Sequence, residues 1–298
     1  MPQDLLTYQP LVERFLKKTP ADMAVFSFVN MFVWQDFFKF QFEEIDGNLC
    51  IFSSDGAGTF LYLPPLGKKI SEAAVKGCFE KMAVLNQGTG VSRIENVTEG
   101  QLAHFPASQY KIYKKGYESL YYRQDLLGLK GQGLKPKRNA YNHFVKNYTG
   151  HYRPFEKAMI KECLGLYDQW AGHKKETSRG EIYLQMVEDN RRVHRRAMEF
   201  YDELRLVGRV VEVDGKIAGY TFGYFITKEI FCDLLEVADV SVKGLPTYIF
   251  HEFCNDECLK AVKFINVMDD FEMGNVSRTK LSFRPVLMVP AYGVSLKK

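Results

Sequence analysis

Two Asp-Gly pairs, Asp46-Gly47 and Asp214-Gly215, constrain most strongly what this chain can fold into. Each pair lies between two segments rich in strand-forming residues. Such a pair is a strong signal for a two-residue β-hairpin, because both residues tolerate positive φ. The repetition indicates two related halves, although two unrelated hairpins would leave the same pattern. After the second hairpin come a strand, a loop, a helix and another strand, so the sequence predicts an α+β fold with mixed, mostly antiparallel sheets flanked by helices.

Composition excludes several classes of protein. Of the 298 residues, 46% are hydrophobic and 26% are charged, which argues against a disordered or fibrous chain. The net charge of +4 is too small to identify a nucleic-acid-binding protein from bulk charge. The longest apolar run, residues 24–34, is shorter than the ~20 residues that span a bilayer and predicts a buried helix. The N-terminus lacks the pattern of a signal peptide, and six scattered cysteines favour free thiols, so we expect a cytoplasmic protein.

A change in composition predicts the domain boundary. Residues 105–119 contain Pro, Gly and Ser together with several lysines, which is typical of a junction, and we place it near residue 115. The sequence therefore predicts an N-terminal domain of residues 1–115 and a C-terminal domain of residues 116–298.

The loop at residues 239–246 predicts a phosphate site, because it follows a strand and opens a helix. A helix N-terminus offers unpaired backbone N–H groups and a positive dipole end. Lys243 adds a cation, and Gly244 lets the backbone approach a ligand closely. A solvated strand-to-helix turn is the alternative interpretation.

Carboxylates at two strand ends are candidates for a general base. Glu236 lies near the end of an otherwise apolar strand, where burial would raise its pKa, and Asp239 follows in the loop. Asp269 and Asp270, with Glu272, come after the next strand. Exposed carboxylates or a structural cap are the alternatives.

His251, Cys254 and Cys258 have the spacing of one helical face, so these three side chains could ligate a metal ion. No second pair of ligands has matching spacing, and core packing by the thiols is favoured; we expect no metal site.

The segment 130–153 is the main candidate for nucleic-acid binding. It carries six basic residues and no acidic one, with aromatic residues such as Tyr141 and Tyr148 between them. This combination suits phosphate contacts and base stacking. An amphipathic helix with a basic solvent face explains the pattern equally well.

Four motifs together resemble a known family: "LYYRQDLLGLKGQGLKPKRNAYNHFVKNY", "VEVDGKIAGYTFG", "LLEVADVSVKGLPTYIFHEF" and "NVMDDFEMGNVSRTKLSFRPV". They are similar to bacterial proteins related to the C-terminal catalytic domain of phosphatidylglycerol lysyltransferase. That family belongs to the GNAT-like acyltransferases, and the resemblance covers most of residues 118–289. It is fainter in the first half, where "SFVNMFVWQDFF" and "LYLPPLG" carry it.

The resemblance implies two tandem GNAT-like halves, the first degenerate, with a splayed sheet that admits an acyl donor. GNAT loops of the form Q/R-x-x-G-x-G/A bind acyl-CoA phosphates, but alignment on Gly244 puts Ser241 and Pro246 at the other motif positions. Relatives that use aminoacyl-tRNA share a "KRN" segment, which matches Lys137-Arg138-Asn139 here. Lipid-modifying relatives also carry a membrane-embedded domain, which this sequence does not show.

From the residues and the resemblance we expect an acyl or aminoacyl transferase, with acyl-CoA or aminoacyl-tRNA as donor and no tightly bound cofactor. The acceptor would be an amine or hydroxyl on a small molecule, lipid or peptide. The expected roles are listed together: Glu236 or Asp269 as base, Lys280 as oxyanion stabiliser, Lys243 and Gly244 at the donor phosphate, and Lys137, Arg138, Asn139 and Lys146 at tRNA or donor. The alternative is a non-catalytic GNAT-like module that binds a small molecule or RNA.

Overall fold

The computed structural model describes residues 4–87, 89–177, 180–269 and 274–297. The chain divides into two units, Met1–Glu118 with Met288–Lys298, and Ser119–Leu287. The sequence analysis assigned the C-terminal residues to the second domain, whereas residues 288–298 belong to the first unit.

The helices and strands are as follows. The α-helices are α1 (Gln9–Leu16), α2 (Phe28–Val33), α3 (Glu72–Leu85), α4 (Arg123–Gly128), α5 (Lys135–Asn147), α6 (Ile160–Thr177), α7 (Glu181–Glu199), α8 (Leu245–Cys254) and α9 (Gly274–Leu281). The strands are β1 (Lys39–Ile45), β2 (Asn48–Ser54), β3 (Thr59–Leu61), β4 (Ile94–Val97), β5 (Tyr110–Tyr122), β6 (Gly150–Pro154), β7 (Val207–Val213), β8 (Lys216–Phe225), β9 (Ile230–Ala238), β10 (Phe264–Asp269) and β11 (Leu287–Leu296).

In the first unit the strand order is β1-β2-β3-β4-β11-β5. The hairpin between β1 and β2 turns at Asp46 and Gly47, with φ of 46° and 75°, as the Asp-Gly signal predicts. Strands β3 and β4 are parallel and are joined through α3, whose buried face includes Cys78 and Met82.

In the second unit β10-β9-β8-β7-β6 follow one another, with the end of β5 beside β10. The hairpin between β7 and β8 turns at Asp214 and Gly215, again with positive φ, 52° and 75°. Strands β9 and β10 are parallel and are joined through α8. Hairpin, strand, helix and parallel strand thus follow in the same order in both units, which confirms the predicted mixed sheets.

Strands β9 and β10 separate along their length. Their register runs from Phe264 opposite Ile230 to Asn266 opposite Cys232. Beyond that pair, no further ladder pairing joins β9 to β10 in the described part of the chain, although β9 continues to Ala238 beside β8 and β10 continues to Asp269. The predicted splay therefore lies at the carboxyl ends of two parallel strands, where open sheets commonly bind ligands.

The junction placed near residue 115 falls within β5, which runs without a break from Tyr110 to Tyr122, and the two units divide between Glu118 and Ser119. The tyrosines and Ile112 of β5 favour an extended chain more strongly than Gly116 opposes it. The apolar run at 24–34 forms the buried helix α2, as predicted, but the helix is shorter than the run and begins after the cap residue Ser27.

Candidate functional site

An irregularity in β9 shapes the splay between β9 and β10. Across the ladder Gly223 pairs with Asp233, but its neighbour Phe222 pairs with Leu235, so Leu234 is an extra residue. This is a β-bulge, which shifts the alternation of side chains along the strand.

The bulge brings Asp233 and Glu236 to the same face. Residues three apart in a regular strand point to opposite faces. Here their ladder partners are Gly223 and Thr221, which are two apart and share a face. Thr221 is buried, and its hydroxyl donates to Oδ1 of Asp233 at 3.0 Å. The sequence analysis missed Asp233, whose only signal was a second acidic residue in an apolar strand.

Burial raises the pKa of both carboxyl groups. Burial raises the pKa of Asp233 to about 7, against smaller opposing effects of the Thr221 hydroxyl and the Lys280 charge. Burial also raises the pKa of Glu236 well above its usual range, and the negative charge of Asp233 adds to this effect, while Lys137 opposes it. Because the charge of Asp233 disfavours ionisation of Glu236, retention of a proton by the pair is favoured near neutral pH.

One oxygen of this pair has no partner. Oε2 of Glu236 is inaccessible to solvent, and no described group makes a hydrogen bond to it. The Glu236 residue as a whole keeps some accessible surface. A buried polar atom without a partner is costly, and such atoms often mark places where a ligand completes the bonding.

Lys137 faces the carboxyl pair from α5. Its Nζ lies 3.8 Å from the centroid of the Phe283 ring, a cation–π contact. Burial lowers the pKa of Lys137, and the nearby Glu236 opposes that shift. Lys137 is therefore half-buried with its charge acting on Glu236, and it does not belong to an exposed basic stripe.

Lys280 holds the end of β10. Its ammonium donates to the backbone oxygens of Val267 at 2.6 Å, Met268 at 3.1 Å and Asp269 at 2.6 Å. Its charge also acts on Asp233. All three N–H donors of an ammonium can be satisfied by these carbonyls. Lys280 is thus placed to fix the splayed strand and to supply positive charge beside the carboxyl pair.

Asp269, the second candidate base, is the last residue of β10 and is partly buried. Its backbone oxygen accepts from Lys280. The other two acidic candidates of this region, Asp270 and Glu272, lie outside the described residues.

The loop before α8 is tightly built. Asp239 Oδ1 accepts from the backbone N–H and the hydroxyl of Ser241, at 2.8 and 2.7 Å. Gly244 has φ of 90°, and a Cβ there would lie 2.2 Å from the backbone oxygen of Ala140 in α5. Lys243 is exposed. The glycine is therefore required by packing against α5, and a role for Lys243 and Gly244 with phosphate stays a prediction.

The basic segment contains both partly buried and exposed side chains. Arg138 donates to the backbone oxygens of Leu129 and Gly131 and so braces the loop before α5. Asn139 and Lys146 are exposed. Of the four residues proposed to contact tRNA or the donor, only these two present their side chains at the surface.

The aromatic residues of α5 are largely used in packing. Tyr141 stacks on Tyr248 at 5.6 Å, and its hydroxyl donates to Glu252 at 2.9 Å. Tyr148 stacks on the buried Phe144 at 5.4 Å. These rings join α5 to its surroundings, so the expectation that they are available to stack on bases is not supported by their positions.

His251 and Cys254, whose spacing resembles that of metal ligands, lie in structural contacts of α8. Nδ1 of His251 lies 2.9 Å from Glu252 Oε1, and Nε2 lies 3.1 Å from the backbone oxygen of Leu127. Both ring nitrogens face acceptors, which favours the doubly protonated ring. Cys254 is buried and Cys258 is exposed. Within residues 4–87, 89–177, 180–269 and 274–297, no group of His, Cys, Asp or Glu side chains has the arrangement of a metal site.

We expect the His251→Gln variant to lose more stability in mildly acidic than in alkaline solution. Burial alone would lower the pKa of His251, but its bonds to Glu252 and Leu127 outweigh burial and the pKa is raised. The resulting stabilisation is present below the unfolded pKa of about 6.5 and is lost as pH rises through the folded pKa. Urea unfolding at about pH 5.5 and about pH 9 measures it. An equal loss at both pH values for His251→Gln would contradict the assignment.

Comparison with known proteins identifies relatives of the whole chain. The sequence profile of the family described as "Phosphatidylglycerol lysyltransferase, C-terminal" matches residues 18–294. The crystal structure of a conserved protein of unknown function from Bacteroides thetaiotaomicron is similar with 26% identity and a TM-score of 0.86, over 98% of this chain and 97% of that chain. Comparison with curated proteins finds no match.

Two further structures show the fold alone. L-PGS from Bacillus licheniformis has 16% identity and a TM-score of 0.65, over 96% of this chain and 91% of that chain. A tandem GNAT protein from the clavulanic acid biosynthesis pathway has 10% identity and a TM-score of 0.52, over 98% of this chain and 96% of that chain. These likenesses confirm the predicted GNAT-like fold.

Proposed function

Because this chain belongs to the family of the phosphatidylglycerol lysyltransferase C-terminal domain, we propose that it transfers an acyl or aminoacyl group, with Glu236 as the base. The observation that carries the proposal is the unpartnered Oε2 of Glu236, buried beside Asp233 in the splay between β9 and β10. An oxygen in this state is suited to accept a proton from a bound amine or hydroxyl.

The proposed reaction uses the acceptor as nucleophile. Its nitrogen or oxygen forms a bond to the donor carbonyl carbon, and its proton passes to Glu236. The bond from that carbon to the leaving group then breaks, and the leaving group takes up the proton that Glu236 accepted: a thiol is released from acyl-CoA, or a ribose hydroxyl from aminoacyl-tRNA. Lys280 supplies positive charge beside the developing oxyanion, while its bonds to three carbonyls hold the splayed strand in place.

Glu236 is preferred to Asp269 because its orphaned oxygen is the one that a substrate proton would satisfy. Asp269 remains the alternative base, and the variant Asp269→Asn tests this alternative. Lys137 is proposed to act at the donor side of the same site, through its position between Phe283 and Glu236.

Donor and acceptor are proposed only as classes. The family supports acyl or aminoacyl transfer, while tRNA or acyl-CoA as donor and a location in the cytoplasm are parts of the proposal. No described helix is long and apolar enough to cross a membrane. Incubation with labelled acyl-CoA or aminoacyl-tRNA and a panel of amine and hydroxyl acceptors tests the proposal. Transfer that requires Glu236 supports it, whereas tight binding of a donor without turnover would indicate the non-catalytic module.

We expect the Asp233→Asn variant to shift the pH dependence of turnover. Burial and then the charge of Asp233 raise the pKa of Glu236, so removing that charge lowers the pKa. Since a base works in its deprotonated form, the acidic limb of the pH–rate profile should move to lower pH. Asn retains a carbonyl oxygen that can accept the hydrogen bond from the Thr221 hydroxyl. The variant therefore removes the charge of Asp233 and keeps this contact. A profile identical to wild type would show that Asp233 does not tune the base.

A further inference from the structure

The second unit contains a pocket of about 760 Å³ near the proposed site. The pocket lies between the end of α4, the loop that leads into α5, and the turn after α9. Its lining includes Leu127, Leu134 and Phe283 as apolar surface, and Lys130, Arg284 and Asp125 as charged groups.

The two cations of this pocket have no partners within the described chain. Lys130 and Arg284 are exposed, and neither forms an ion pair or a side-chain hydrogen bond with a described residue. Some exposed cations of this unit are paired, for example Lys263 with Glu229. With Asp125 as the acidic lining residue, the pocket keeps a net positive charge.

The backbone of the pocket is arranged around the arginine. A Cβ at Gly133 would lie 3.1 Å from Nε of Arg284, so the bare glycine lets the guanidinium lie close to the loop. Arg284 itself has φ of 59°, and Leu129 beside Lys130 has φ of 42°. Positive φ at non-glycine residues is uncommon and tends to occur where a site is held in a required shape.

Phe283 connects this pocket to the carboxyl pair. The ring lines the pocket, and Lys137, which faces Glu236, lies over it. The middle of α5 packs on the start of α8, where the backbone oxygen of Ala140 lies close to Gly244. The pocket is therefore an open, basic site near the proposed reaction centre.

We propose that this pocket binds a nucleotide of the donor, with its phosphate against Lys130 and Arg284. The base and ribose would lie against Leu127, Leu134 and Phe283, because aromatic and apolar side chains accept the face of a base. This proposal rests on the proposed transferase function and gives it a donor subsite. The phosphate-bearing nucleotide is common to coenzyme A and to the 3′ end of tRNA, and the experiment separates the two.

Calorimetric titration of the full chain with coenzyme A, and separately with a short RNA ending in CCA, tests the proposal. The variant Lys130→Ala/Arg284→Ala removes both cations. The control Lys161→Ala/Arg192→Ala removes the same charge from exposed residues of α6 and α7. Charge-assisted hydrogen bonds contribute about 1.5 kcal/mol or more each, so the pocket variant should bind its donor at least about 100-fold more weakly. The control should bind as wild type does.

The two probes give distinct outcomes. Loss of coenzyme A binding assigns the pocket to acyl-CoA, and loss of RNA binding, with the slope of log affinity against log salt reduced by about 1.4 for two contacts, assigns it to tRNA. Equal binding by pocket and control variants, or no binding of either probe by the wild type, overturns the subsite. Circular dichroism confirms folding of each variant. The transferase proposal is judged separately by Glu236→Gln, which should bind donor normally and fail to turn it over.

Discussion

The Glu236→Gln variant should lower turnover by about two to four orders of magnitude, the usual contribution of a positioned general base. Gln keeps the shape of the side chain but cannot accept the acceptor's proton. The variant should fold normally, because Gln replaces a carboxyl group that is buried and has a raised pKa. Single-turnover kinetics with the identified donor and acceptor measure the effect.

The matched control for this variant is Glu229→Gln. Glu229 precedes β9, is exposed, and forms an ion pair with Lys263 far from the bulge. Surface ion pairs contribute little, so turnover should be unchanged. Wild-type turnover by Glu236→Gln would remove Glu236 as the base and direct attention to Asp269.

The Gly244→Val variant should unfold much more readily than wild type. A β-branched residue at φ of 90° costs about 1 to 3 kcal/mol, and the contact with the Ala140 oxygen adds an overpacking cost of similar size. A loss of about 2 to 6 kcal/mol is a large part of the stability of an ordinary domain. Urea unfolding measures it.

Gly215→Val separates the two costs. Gly215 also has positive φ, 75°, but a Cβ there would meet nothing within 4 Å. The free energy of unfolding of Gly215→Val should fall only by the backbone cost, about 1 to 3 kcal/mol. Equal losses for the two variants would show that α5 does not press on Gly244. Because Gly244→Val disturbs packing, it is a poor probe of phosphate binding, and Lys243→Ala is the better one.

The sequence predicted the elements that are set by local chemistry. Asp214 and Gly215 specify their own turn, and the strands on either side follow from it. Glu236 was recognised because an acidic residue near the end of an apolar strand is unusual. Lys280 was recognised through the resemblance, although its three bonds to carbonyls were not foreseen.

The site itself depends on features that spacing does not reveal. The extra residue Leu234 brings Asp233 onto the face of Glu236, and no sequence pattern marks that bulge. Lys137 was assigned with Arg138 to an RNA-binding stripe, because a basic segment carries no information about which lysine points inward. Tertiary packing made that choice, by placing Phe283 and Glu236 beside α5.

Carboxyl titration by nuclear magnetic resonance, with side-chain carboxyl carbons labelled, tests the central claim without any substrate. Comparison of wild type with Asp233→Asn and Glu236→Gln assigns the two signals. We predict that Asp233 and Glu236 titrate as a coupled pair, with the pKa of Asp233 near 7 and that of Glu236 well above its usual range. Two independent titrations at the ordinary values of about 3.9 and 4.3 would contradict a buried proton-accepting pair at the splay.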